Sequence, residues 1–107
     1  MLEIYIRNPA FKDLISGTKK YELRLLKGIF NNLNNGDKVL LCNNRLKVLK
    51  TIKNIYPFNN FNDLLNNLGL NKCLVNCDNI KQAIEYIDTI YNSNLQKKYS
   101  CIALEFN

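Results

Sequence analysis

Hydrophobic periodicity in this chain switches between two and about 3.6 residues several times, and no periodic run is long. At 107 residues the chain is long enough for one ordinary core and too short for two, so short strands and helices must share it. Residues 2–7 alternate as a first strand. From Lys19 to Leu25 the alternation returns, with Tyr21, Leu23 and Leu25 on one side and Lys20, Glu22 and Arg24 on the other. Further strands are expected at 38–42, 45–56 and 99–106.

Helical spacing fills the gaps. Asn8 can cap and Pro9 can start a short helix whose face is Phe11, Leu14 and Ile15, with Gly17 as its stop. Phe61, Leu64, Leu65 and Leu68 recur at i, i+3, i+4 and i+7 up to Gly69. Asp78 can cap a last helix with the face Ile80, Ala83, Ile84, Ile87 and Tyr91. Residues 26–37 read as a long connection closing in the turn Asn35-Gly36-Asp37. Asn43-Asn44 suits a tight hairpin with a positive φ, and Pro57 is expected to end the long strand. Helices inserted irregularly among strands, rather than βαβ repeats, indicate a single α+β domain over 1–107 with a mostly antiparallel sheet or barrel.

The chain is 47% hydrophobic, enough for a real core, and carries a formal charge of +6, which favours polyanionic partners. Its frequent asparagine, lysine and isoleucine match the bias of an AT-rich genome, so most asparagines are read as turn and surface residues. No run approaches the roughly 18 apolar residues of a membrane span, and the charged, alternating start is not a signal peptide, so a cytoplasmic location is expected. There is no histidine, and of the four cysteines only Cys73 and Cys77 are close in sequence. That spacing is a weak zinc signal, and Cys42 and Cys101 sit in apolar runs as small hydrophobes. No metal and no cofactor are expected.

The densest chemistry lies in Gly17-Thr18-Lys19-Lys20-Tyr21-Glu22-Leu23-Arg24. Lys20, Glu22 and Arg24 at i±2 spacing put two cations beside one carboxylate, and Lys19 at the turn can swing toward the same cleft. Arg24 offers a planar fork for a phosphate or base edge, whereas the lysines are mobile point charges. The same alternation also describes an ordinary solvated strand face with a ladder of ion pairs.

The order Gly17-x-Lys19-x-x-Glu22-x-Arg24, followed by Gly36-Asp37 opening an apolar strand, resembles the ASCH domain of the PUA-like superfamily. The resemblance runs on through Tyr56-Pro57-Phe58, the helix from Phe61, Leu68-Gly69-Leu70, Ile90-Tyr91 and Lys98-Tyr99 before Ile102-Ala103-Leu104, spanning essentially the whole chain. It implies a PUA-like β-barrel of about five to six mostly antiparallel strands with two to three flanking helices. It also implies a cleft where the motif lysine, glutamate and arginine meet. Members are thought to bind RNA, and some act as small hydrolases. One branch deacetylates acetylated cytidine with a lysine, a threonine and a glutamate. Lys19 matches that lysine, but Glu22 stands at the threonine position, residues 74–79 hold no glutamate, and Ser100 replaces a frequent glycine.

The leading expectation is therefore binding of RNA, single-stranded nucleic acid or a modified nucleoside by Lys19, Lys20, Glu22 and Arg24. Tyr56 and Tyr99, with Phe58, would supply a stacking surface worth roughly 1–3 kcal/mol per base, against their ordinary role in packing. Tyr21 and Tyr86 are assigned to packing, and Asp37 to its turn. The alternatives are a hydrolase acting on N4-acetylcytidine or RNA with Lys19 and Glu22 as catalytic groups, and a protein-interaction module. Lys20 favours and Glu22 opposes loss of the Lys19 proton, so Lys19 as a ligand contact is easier to sustain than Lys19 as a base.

Overall fold

The computed structural model describes residues 1–107. Its five strands are β1 (Leu2–Tyr5), β2 (Tyr21–Leu25), β3 (Lys38–Cys42), β4 (Lys47–Phe58) and β5 (Cys101–Phe106). They form one sheet in the order β1-β3-β4-β5-β2. β1 runs parallel to β3, and the other three pairings are antiparallel. The long strand β4 gives the sheet its shape. Its first part, Lys47 to Thr51, pairs with β3, and from Ile52 to Phe58 it pairs with β5. The change of partner coincides with a register shift between Ile52 and Asn54, where an irregularity bends a strand and increases its twist. The sheet thereby curls into a half-barrel, with β1 and β2 as its two edges.

Five helices accompany the sheet rather than two or three: α1 (Ala10–Ser16), α2 (Phe61–Leu68), α3 (Leu70–Cys73), α4 (Ile80–Ile90) and α5 (Ser93–Lys98). α3 and α5 lack the two-turn apolar repeat that makes a helix legible, which is why the sequence reading passes over them. The expected last helix is α4 and ends at Ile90, and the short α5 beyond it starts at Asn92, whose side chain accepts from Leu95 N–H. Asn79, not Asp78, caps α4 by accepting from Gln82 N–H, while Gln82 Oε1 accepts from Asp78 N–H. α1 begins after Pro9, with no side-chain cap from Asn8, and ends at Gly17 with φ 86°. Ile15 turns outward at 38% exposed and Tyr86 at 52%, so neither joins the core.

Two turns also differ in mechanism from expectation. The hairpin at Asn43-Asn44 uses no positive φ; instead Asn43 Oδ1 accepts from the N–H groups of Arg45 and Leu46. Pro57 lies inside β4, opposite Ile102. β3 has already left β4 at Thr51, so one edge of β4 is open there and a missing N–H is tolerated. Gly36 (φ 91°) makes the turn before β3, with Asp37 Oδ2 accepting from Asn34 N–H, and a 3-10 turn at Gly28–Asn32 occupies the long connection.

β5 organises two layers of core. Cys101 and Ala103 face Phe61, Leu64, Leu65, Ala83 and Ile87 of α2 and α4. Ile102 and Leu104 face the inside of the curl, with Ile4, Phe11, Val39, Leu41 and Ile52. Because both faces are covered, β5 is buried from Cys101 to Glu105, which explains why its sequence reads as a nearly continuous apolar run.

Candidate functional site

The motif segment leaves α1 at Gly17 and enters β2 at Tyr21. Lys19, 4% exposed, is pulled inward: its Nζ donates to the Cys73 carbonyl at 2.6 Å and lies 3.3 Å from Glu22 Oε1. Glu22, 6% exposed, is held on its other oxygen by Arg24, through Nη2 at 2.8 Å and Nε at 3.2 Å. Arg24 Nη2 also donates to the Tyr5 carbonyl at 2.7 Å, and its guanidinium lies 5.5 Å from the Phe30 ring centre. Tyr5 belongs to β1 and Arg24 to β2, the two sheet edges. The Arg24 side chain is thus a clasp across the open seam of the half-barrel, joined through Glu22 and Lys19 to α3.

Lys20 does not join this cluster, contrary to the expected shared strand face. It precedes β2 and turns to Glu105 at the end of β5, at 3.3 Å. Glu105 is opposite Tyr21 and accepts from Asn54 Nδ2 at 2.9 Å and Tyr56 Oη at 3.3 Å. The Tyr56 ring packs edge-on against Tyr21, with centroids 5.8 Å apart, so it is a packing group with a polar tip. Tyr99 is separated from Tyr56: it precedes β5, between the amino groups of Lys27 and Lys98 at 5.5 and 5.4 Å from its ring. No ring-to-ring contact joins Tyr56 and Tyr99, although both pack against the cluster beneath α2 and α4. Alternation fixes the side of a strand a residue takes, but not which end of the sheet the loop before that strand reaches.

The Asn54 amide above all, and the Lys20 ammonium, hold the Glu105 carboxyl below its ordinary value of 4.5, against the effect of burial. The folded protein therefore binds this proton more weakly than the unfolded chain. Glu105 contributes stability above the unfolded value, and that contribution disappears as pH falls through the lower folded value. Urea midpoints of wild-type and Glu105→Gln proteins are expected to differ near about pH 7 and to converge toward about pH 3. A gap that stays constant over that range overturns the assignment.

Beside these groups lies a depression of about 270 Å³ lined by Lys19, Lys20, Lys50 and Lys53, with Leu14, Gly17, Leu41, Phe106 and one carboxylate, Glu105. Lys50 and Lys53 come from β4, on either side of the switch from β3 to β5. They are the residues that sequence reasoning missed, because only the curl brings them next to the motif. Cys42, Cys73 and Cys101 are buried free thiols, and burial pushes Cys73 up to about 11 and Cys101 up to about 12. No three His, Cys, Asp or Glu side chains are grouped so as to hold a metal ion, and no helix is long and apolar enough to cross a membrane.

Fold and site together define a small α+β half-barrel domain with an ionic clasp at its seam and a lysine-lined depression. No protein-family model and no curated protein matches the chain. Among solved structures, the crystal structure of the hypothetical protein PH0355 superposes with a TM-score of 0.88 at 21% identity, covering 99% of this chain and 96% of that one. The solution NMR structure of protein PF0455 from Pyrococcus furiosus superposes with a TM-score of 0.81 at 23% identity, over 99% and 94%. At such identity the likeness carries the architecture alone.

Proposed function

We propose that this is an ASCH-like, PUA-like domain that binds RNA or a nucleotide, with a phosphate group seated in the depression lined by Lys19, Lys20, Lys50 and Lys53. The observation that carries the reading is the convergence of those lysines on one depression with a single carboxylate, in a chain of charge +6. Lys50 and Lys53, which take part in no ion pair, are mobile ammonium groups suited to a phosphate whose position varies, while Glu105 keeps Lys20 in place. The order of the Gly17-to-Arg24 motif supports the family reading. In this account Glu22 and Arg24 position Lys19 and the seam rather than touch the ligand.

Anisotropy titrations of a labelled single-stranded RNA test it. Removing two phosphate contacts in Lys50→Ala/Lys53→Ala is expected to weaken binding about tenfold and to flatten the dependence of log K on log salt by about 1.4. Unchanged affinity and slope sink the proposal.

A hydrolase acting on an acylated nucleoside or on RNA is the second reading. It is favoured by the buried Lys19–Glu22 pair, 3.3 Å apart, of which Lys19 lines the same depression. Release of cytidine from N4-acetylcytidine, or cleavage of short RNA, above a Lys19→Ala control is its signature.

A further inference from the structure

A larger groove lies between the end of β1 and the β3–β4 hairpin. Its volume is about 510 Å³, within the usual range of small-ligand sites, and it is lined by Tyr5, Ile6, Arg7, Asn8, Asn43, Asn44 and Arg45. None of these is acidic. Arg7 and Arg45 are exposed and take part in none of the four ion pairs of the molecule.

The distribution of arginine makes the groove stand out. The chain has three arginines against twelve lysines. In so lysine-biased a composition, arginine marks places where a planar fork matters. Arg7 and Arg45 both line this groove, and the third, Arg24, donates to the backbone of a lining residue at Tyr5 O. Tyr5 itself is 62% exposed, although it stands on a strand whose neighbour Ile4 is 1% exposed. Its ring is an open aromatic surface, with its backbone anchored by the Arg24 clasp. Asn43, a lining residue, commits its side-chain oxygen to the turn through Arg45 and Leu46. An exposed ring, two free guanidinium groups and several amides, with the Glu3 carboxylate beside the Tyr5 hydroxyl offset by its ion pair with Lys47, are the ingredients of single-strand nucleotide recognition. The ring stacks a base, the forks hold phosphate, and the amides reach base edges.

We infer that the groove between β1 and the β3–β4 hairpin is a nucleotide-binding site, in which Tyr5 stacks a base and Arg7 and Arg45 hold the adjoining phosphate. It stands on its own residues and does not require the lysine depression. The ligand chemistry is a nucleotide, either free or within a single-stranded RNA.

Three variants tested in parallel decide it: Arg7→Ala/Arg45→Ala, Tyr5→Ala and Lys50→Ala/Lys53→Ala, each first checked for a wild-type circular dichroism spectrum and urea midpoint. Against a labelled single-stranded RNA, the arginine double variant is expected to lose about tenfold in affinity and about 1.4 in salt slope. Tyr5→Ala is expected to lose about fivefold or more with the slope retained, because stacking releases no counterions, and Tyr5→Phe keeps its binding. Competition by uridine monophosphate that Tyr5→Ala abolishes assigns the site to the free nucleotide. Competition by RNA alone assigns it to the strand. Wild-type affinity and slope in both groove variants overturn the inference, whatever the lysine variant does. Loss in the lysine variant alone leaves the depression as the binding site and removes this one. Loss in the groove variants alone does the reverse.

Discussion

Replacing Glu22 by alanine is expected to destabilise the fold by about 3–5 kcal/mol, because breaking a buried ion cluster by removing one partner leaves the other charge uncompensated. Lys19 is 4% exposed, and its only other partner is the Cys73 carbonyl. Arg24, with a side chain 22% exposed, can turn to water, but it would lose the carboxylate that aligns it across the β1–β2 seam. For a domain of this size each kcal/mol lowers the melting temperature by roughly 4–8 °C, so the effect is large in a thermal scan. The paired change Lys19→Met/Glu22→Leu, which removes the buried charges together, is expected to recover more than half of the loss. A cost below about 1 kcal/mol for Glu22→Ala would mean that the motif is a solvated ladder, the plain reading of its alternation.

Leu104→Ala is expected to cost about 2–5 kcal/mol, the lost burial of the side chain plus the cavity left behind. Leu104 is 0% exposed, stands between Glu22 and Ile55 on the neighbouring strands, and belongs to the cluster inside the curl. The site is walled by strands on both sides and by α1, so its collapse around a missing isobutyl group is restricted. Leu49→Ala is the matched control: at 54% exposed on β4 it is expected to change stability by no more than about 0.5 kcal/mol. Urea unfolding of both variants gives the comparison, and similar midpoints would show that the curl holds no tightly packed core.

Much of the architecture is readable from residue order. The face Ile80, Ala83, Ile84, Ile87 and Tyr91 is buried or half-buried along its whole length, and Gly17 and Gly69 end their helices where the breaks in pattern place them. The strand cores at 38–42 and 101–106 also lie inside the expected segments. What failed was local chemistry with near-equivalent options. Asn79 took the cap from Asp78, and Asn92 opened a short helix in a stretch that carries no periodic pattern. An asparagine and an aspartate cap almost equally well, so neighbours decide between them.

The site divides along the same line. That Lys19, Glu22 and Arg24 meet follows from close spacing at a helix-to-strand turn. That Lys19 is buried does not, because its second partner is the Cys73 carbonyl, 54 residues away along the chain. Lys20 is taken by Glu105 for a similar reason, the pairing of β2 with β5.

By itself, then, the order of residues determined the elements, their buried sides and the cluster of charge in the motif, since periodicity and turn chemistry act between neighbours along the chain. Only the tertiary structure decided which lysines face a common depression, which aromatic ring stands exposed beside two arginines, and what closes the seam. Those depend on the curl of β4, where a register shift near Lys53 hands the strand from β3 to β5 and carries Lys50 and Lys53 to the motif.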